Sequence, residues 1–113
     1  MEKIEKPWGE KIILFSSKEK KVSLTTINPK QRTSLHLHNL KDEKNYILNG
    51  TAVYEIDDKI DIFCEEDIIN IIKNNLHRIY NPDKDNSLII LEIQKGNLEK
   101  EDTLKLEDDY GRI

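Results

Sequence analysis

A single cysteine, Cys64, among 113 residues leaves no intramolecular disulfide framework to staple the chain. Apolar residues make up only 36% of it, and the longest apolar runs, such as Leu88 to Leu91, fall far short of the ~20 residues a membrane span needs. No apolar stretch near Met1 has the form of a secretory signal, so a cytoplasmic protein is expected. Basic charge is not in excess either. Eighteen Lys+Arg against twenty-two Asp+Glu give a net charge of −4, with the signs interspersed, which argues against a nucleic-acid surface. There is no Gly/Ser linker and no repeat, and the length suits one domain over residues 1–113.

What is present is short apolar runs alternating with period 2, and almost nothing repeating at 3.6. The expected strands are Lys11–Phe15, Val22–Asn28, Ser34–His38, Asn45–Leu48, Thr51–Ile56, Ile60–Phe63, Ile68–Ile72, His77–Asn81 and Leu88–Gln94. Turn chemistry separates them at Asn28-Pro29, Asn49-Gly50, Asp57-Asp58, Asn74-Asn75 and Asn81-Pro82-Asp83. Nine short strands at this spacing predict an all-β sandwich or small barrel. The polar, acidic tail from Asn97 to Asp109 predicts a loop or one helical turn. Trp8 is expected to plug one end of the barrel, and Cys64 to be a small buried residue.

The three histidines are the most informative residues. In an extended strand, His36 and His38 point to one face, close enough for two imidazoles to converge on one ion. A hairpin returning through Lys41-Asp42 would set Glu43 beside them, and His77 lies in a later alternating stretch. A lone strand histidine is ordinarily structural. Three imidazoles and a carboxylate, His36, His38, His77 and Glu43, instead suit one divalent transition ion, with positions left for water or substrate.

The joint spacing resembles the cupins. Their first motif, His-x-His, three or four residues, Glu, six residues, Gly, is met by His36, His38, Glu43 and Gly50. Of the second, His77 and Asn81 remain, while Glu66, Ile72 and Asn74 stand where Gly, Pro and Gly are usual. The resemblance implies a single-domain jelly-roll barrel, the double-stranded β-helix, with a metal in its mouth. Asn74-Asn75 can supply the positive φ that the missing glycine would give.

Further matches look like the cupin domain of type II mannose-6-phosphate isomerases. Lys6-Pro7-Trp8-Gly9 resembles that family's Arg-Pro-Trp-Gly, and Gly50-Thr51-Ala52 its Gly-Thr-Ala. His77-Arg78 with Asn81-Pro82 resembles its His-Arg-x-x-Asn-Pro. Leu91 to Gln94 with Gly96, Glu101-Asp102 and Glu107 to Arg112 resemble its C-terminal run. Fused members carry a nucleotidyltransferase domain with a Gly-rich loop, which these four glycines do not form, so guanylyl transfer is not expected of this chain. Two departures stand out. The family typically has Gln-x-His where this chain has His36-x-His38. A His-rich stretch and Glu-His-Trp are usual where Asn39-Leu40 and Glu43-Lys44-Asn45 stand.

The resemblance implies aldose–ketose isomerisation of a sugar phosphate such as mannose 6-phosphate. It needs one divalent ion, with zinc expected and manganese, cobalt, nickel or iron as alternatives. A base must also shuttle the proton. Glu92 is the expected catalytic base, because a carboxylate interrupting the apolar strand Leu88–Ile93 is costly unless it faces a polar cavity. For the phosphate, Arg32 is preferred among Arg32, Lys41, Lys44 and Arg78, with Lys44 and Asn45 as further substrate-binding residues. Strand parity turns Arg78 away from His77, toward pairing on the outer surface. Alternatives are an iron-dependent oxygenase and a non-catalytic carbohydrate-binding cupin. A homodimer is expected, joined at the strand Lys11–Phe15.

Overall fold

A computed structural model describes all 113 residues. It contains eleven strands and no helix: β1 (Glu2–Lys6), β2 (Gly9–Ser16), β3 (Lys20–Ile27), β4 (Leu35–His38), β5 (Lys41–Asn49), β6 (Ala52–Ile56), β7 (Lys59–Phe63), β8 (Ile68–Ile71), β9 (His77–Tyr80), β10 (Leu88–Gly96) and β11 (Thr103–Glu107). Two antiparallel sheets face each other, in the order β1-β2-β3-β10-β5-β8 and β11-β4-β9-β6-β7. This is the all-β double-stranded β-helix, and each of the nine expected strands lies within it.

Two strands go beyond the expectation. β1 closes a tight hairpin with β2 around Pro7-Trp8, where any Cβ on Gly9 would collide with the Thr26 carbonyl oxygen. β11 corrects the expected loop or helical turn in the tail and extends the smaller sheet beside β4. Because β2 is flanked by β1 and β3, the edges of the large sheet are β1 and β8, and Lys11–Phe15 offers no open backbone for dimerisation.

Inward residues divide the barrel interior into halves. One half is apolar: Trp8, Ile27, Ile47, Ala52, Tyr54, Ile69, Ile71, Ile79, Leu88 and Ile90 form a single buried cluster. Along β3, β5 and β10 the inward positions turn polar together toward the other end, as Ser23, Asn45 and Glu92, with Lys21, Glu43 and Gln94 beyond. The apolar half carries the hydrophobic stabilisation and leaves the polar half available for a site. Asn45, fully buried at the boundary, donates from Nδ2 to Tyr54 Oη over 2.8 Å.

The turns keep their shape without the family's glycines. Glu66 and Asn74, where two of them would stand, both hold positive φ, at 78° and 70°. Asn81 is structural: its buried amide donates to the Ile27 and Asn86 carbonyls. Cys64 is exposed, which corrects its expected burial. β7 ends at Phe63, and the Cys64 amide is turned out to cap on Asp67 Oδ2 at 2.8 Å.

Candidate metal centre

The histidines converge as the spacing predicts. His36 and His38 lie on β4 and His77 on β9, where His36 and His77 are direct register partners. One ligand atom from each falls within 4.8 Å of the others. Each ring is also oriented from behind. His36 Nδ1 donates to the Ser34 carbonyl at 2.8 Å and His77 Nδ1 to the Asn75 carbonyl at 2.9 Å, while His38 Nδ1 meets Asp102 Oδ1 at 3.2 Å. With Nδ1 engaged in all three, the Nε2 lone pairs are free for a metal.

Electrostatics agree with that role. Burial, with His77 beside it, pushes His36 down to about 3. Burial also lowers His38. Both imidazoles are neutral at neutral pH, the form a metal requires. Three nitrogens, each fixed from behind, fit a divalent transition ion with open positions.

Glu43 reaches the site by another route than the expected hairpin. β4 and β5 belong to different sheets, so the chain crosses the barrel at Asn39-Leu40, and Glu43 lines the pocket from the opposite sheet. Its carboxylate stands outside the three-histidine group and accepts from Gln94 Nε2 at 2.8 Å. Burial acts to raise its pKa, but the neighbouring His77, the Lys11 ammonium and the Gln94 hydrogen bond hold it below the usual carboxylate range.

The pocket encloses about 260 Å³. Glu92 lines it, nearly buried, with Oε2 at 3.0 Å from Lys11 Nζ. Burial opposes the charge on Lys11, yet Glu92 and Glu43 outweigh it and hold the ammonium above its ordinary value. Glu92 and Lys11 form a fixed ion pair beside the histidines.

The expected substrate-binding residues lie elsewhere. Arg32 grips Asp109 through two hydrogen bonds of 2.6 and 2.8 Å, in a hollow on the outer face of the small sheet. Lys44 is exposed on the outer face of β5, because parity gives the inside to Glu43 and Asn45. Asn45 is buried beneath the pocket and does not line it. Arg78 does point away from the histidines, but it is buried, donating to the Thr33 carbonyl and to Glu107.

The sequence reading missed Lys11, Gln94 and Asp102. Parity with Glu92 would have found Gln94. Asp102 carried no such signal: its fully buried carboxylate accepts from the Leu40 amide at 2.8 Å and meets Lys41 Nζ at 3.1 Å as well as His38. It fastens the tail to the histidine cluster.

Residues 1–108 match the family model described as mannose-6-phosphate isomerase C-terminal. Alginate biosynthesis protein AlgA of Pseudomonas aeruginosa is 34% identical over 108 residues, which are 95% of this chain and 22% of that protein. A mannose-1-phosphate guanylyltransferase of Escherichia coli is 29% identical over 109 residues, 96% of this chain and 23% of its own length. The chain thus spans less than a quarter of these two relatives. Among solved structures, capsular polysaccharide assembling protein CapF from Staphylococcus aureus superposes with a TM-score of 0.78 at 20% identity, over 94% of this chain and 34% of that one. A double-stranded β-helix protein from Klebsiella pneumoniae gives 0.79 at 13% identity, over 93% and 90%. These likenesses show the fold. The chain is a cupin and belongs to the family of the mannose-6-phosphate isomerase C-terminal domain.

Proposed function

We propose that this protein is a metal-dependent aldose–ketose isomerase acting on a sugar phosphate, of which mannose 6-phosphate is the first to test. One observation carries the reading: three histidines with every Nδ1 engaged open onto the same pocket as the buried Lys11–Glu92 pair. Family membership supports the sugar-phosphate class, since the relatives are named for mannose phosphate chemistry.

His36, His38 and His77 would hold the ion, with Glu43 poised from the facing strand. A bound divalent ion supplies Lewis-acid polarisation of substrate oxygens. Glu92 is the base that takes the C2 proton of the aldose and returns it at C1. Lys11 holds that carboxylate in place beside the histidines through their 3.0 Å contact. The buried surroundings restrict water, which strengthens each of these charges.

The test is interconversion of mannose 6-phosphate and fructose 6-phosphate by the full chain supplied with zinc, manganese or cobalt. Turnover that disappears on chelation and returns with metal supports the reading. No turnover, and no exchange of the C2 proton into heavy water, would falsify it. No helix is long and apolar enough to cross a membrane, and the reading places the protein in the cytoplasm as a homodimer joined at the β1 edge. Light scattering at micromolar concentration should give twice the chain mass.

A further inference from the structure

Six cations line the pocket, and three of them are already committed. Lys11 pairs with Glu92 at 3.0 Å, Lys41 with Asp102 at 3.1 Å and Arg112 with Asp108 at 2.7 Å. Lys6, Lys21 and Lys105 line the same pocket, are half-buried and make no ion pair. The chain has twenty-two acidic residues to eighteen basic ones, so partners for lysines are abundant. Leaving three lysines unpaired around one opening is therefore a local arrangement, not a consequence of composition.

The fold brings them together from three strands in two sheets. Lys105, on β11, is the register partner of His36 on β4, so it stands directly beside the histidine cluster. Lys21, on β3, is the register partner of Gln94, which holds Glu43. Lys6 ends β1 at the hairpin with Gly9. Lys6 and Lys21 carry the mark of this crowding. Burial lowers Lys6, and Lys11, Lys105, Arg112 and Lys21 lower it further. Burial likewise lowers Lys21, with help from Lys11 and Lys41 and against the opposing pull of Glu92 and Glu101. Clustered, partly desolvated cations that make no ion-pair contact of their own are stabilised by a multiply charged anion.

We propose that Lys6, Lys21 and Lys105 form an anion subsite at the pocket mouth that holds the phosphate group of the substrate. Three free ammonium groups suit a phosphate monoester dianion better than the single charge of a sugar acid, and each donates as a point charge without demanding a bidentate geometry. The sugar then extends inward, between the histidines and Glu92. The choice of a sugar phosphate rests on the isomerase reading; the anion subsite rests on the lysines alone.

The test is equilibrium dialysis of the zinc-supplemented full chain with labelled mannose 6-phosphate, mannose and mannuronate, with inorganic phosphate as competitor. Mannose 6-phosphate should bind at least about 10-fold more tightly than mannose, and inorganic phosphate should displace it. Each of Lys6→Gln, Lys21→Gln and Lys105→Gln should weaken mannose 6-phosphate roughly 3–10-fold, and the triple variant about 100-fold, with mannose binding unmoved. Inorganic phosphate should also raise the melting temperature of the wild type and not that of the triple variant. Equal binding of mannose and mannose 6-phosphate, or wild-type affinity in the triple variant, overturns the subsite, as does mannuronate binding as tightly as the phosphate ester. Lysine-dependent binding without isomerisation removes the isomerase reading and keeps the subsite. Isomerisation with an unchanged KM in the triple variant does the reverse.

Discussion

His36 and His77, forty-one positions apart in the chain, face each other across β4 and β9 with ring centroids 4.3 Å apart. They are the only register pair joining those two strands. The convergence of the candidate ligands thus depends on a single cross-strand contact, flanked by the β11–β4 and β6–β9 ladders. Short strands held on their outer sides leave the ligand face free of other demands.

His77→Ala removes one of three converging nitrogens and should leave an open, weak site. The wild-type protein, purified without chelator and supplied with metal, should hold about one divalent ion per chain. The variant should lose most of it at the same free metal concentration. Elemental analysis after dialysis reads the result directly. Full occupancy in the variant would show that the ion sits elsewhere.

Asp102 orients one ligand without being one. Its buried carboxylate fixes His38 Nδ1, the Leu40 amide and Lys41 Nζ together. Asp102→Asn keeps the shape but removes the charge, and should weaken metal binding by ~10–100-fold, as loss of an outer carboxylate partner commonly does. Competition with a chromophoric chelator measures this without reference to turnover. Unchanged affinity would reduce Asp102 to a clasp for the tail.

The nine expected strands were legible because apolar side chains alternate along them and turn residues punctuate them. β1 and β11 were not. Glu2–Lys6 contains one apolar residue, Ile4, and Thr103–Glu107 inverts the usual sense, exposing Leu104 and Leu106 while Lys105 lines the pocket. The histidines were legible through spacing, but Glu43 arrives from the opposite sheet, which local spacing does not encode. Parity along β5, with Glu43 and Asn45 inside, would have placed Lys44 outside, against the expectation that it binds substrate. Lys6, Lys11, Lys21 and Lys105 could not be told from surface lysines in a chain that is 35% charged, because only tertiary structure turns them toward one cavity.

The tail is locked by a titratable clamp. Asp108 accepts from the Arg112 backbone amide at 2.7 Å, from its Nε at 3.0 Å and from Nη2 at 2.7 Å. Arg112 holds the Asp108 carboxyl down to about 2. A folded-state value below the unfolded one contributes stability above pH ~4, which is lost as pH falls through ~2. Asp108→Asn should therefore lower the melting temperature at pH 7 by roughly 4–8 °C, the shift that about 1 kcal/mol gives a domain of this size. The difference between wild type and variant should shrink between pH 4 and pH 2. A difference independent of pH would show that charge is not what the clamp uses.

The Lys11–Glu92 pair separates catalysis from stability. Glu92→Gln keeps the side-chain shape and removes the base, so kcat should fall by ~100-fold or more while bound metal stays at the wild-type level. Lys11→Met leaves a nearly buried carboxylate without its counter-ion, and should destabilise the fold by roughly 3 kcal/mol. Combining the two substitutions removes both charges, so the double variant should regain most of that stability and none of the activity. Melting curves and C2 proton exchange on the four proteins of this cycle give both readouts. If Glu92→Gln turns over at the wild-type rate with metal in place, Glu92 is a structural partner of Lys11, and Glu43, held by Gln94 on the neighbouring strand, becomes the base to test next.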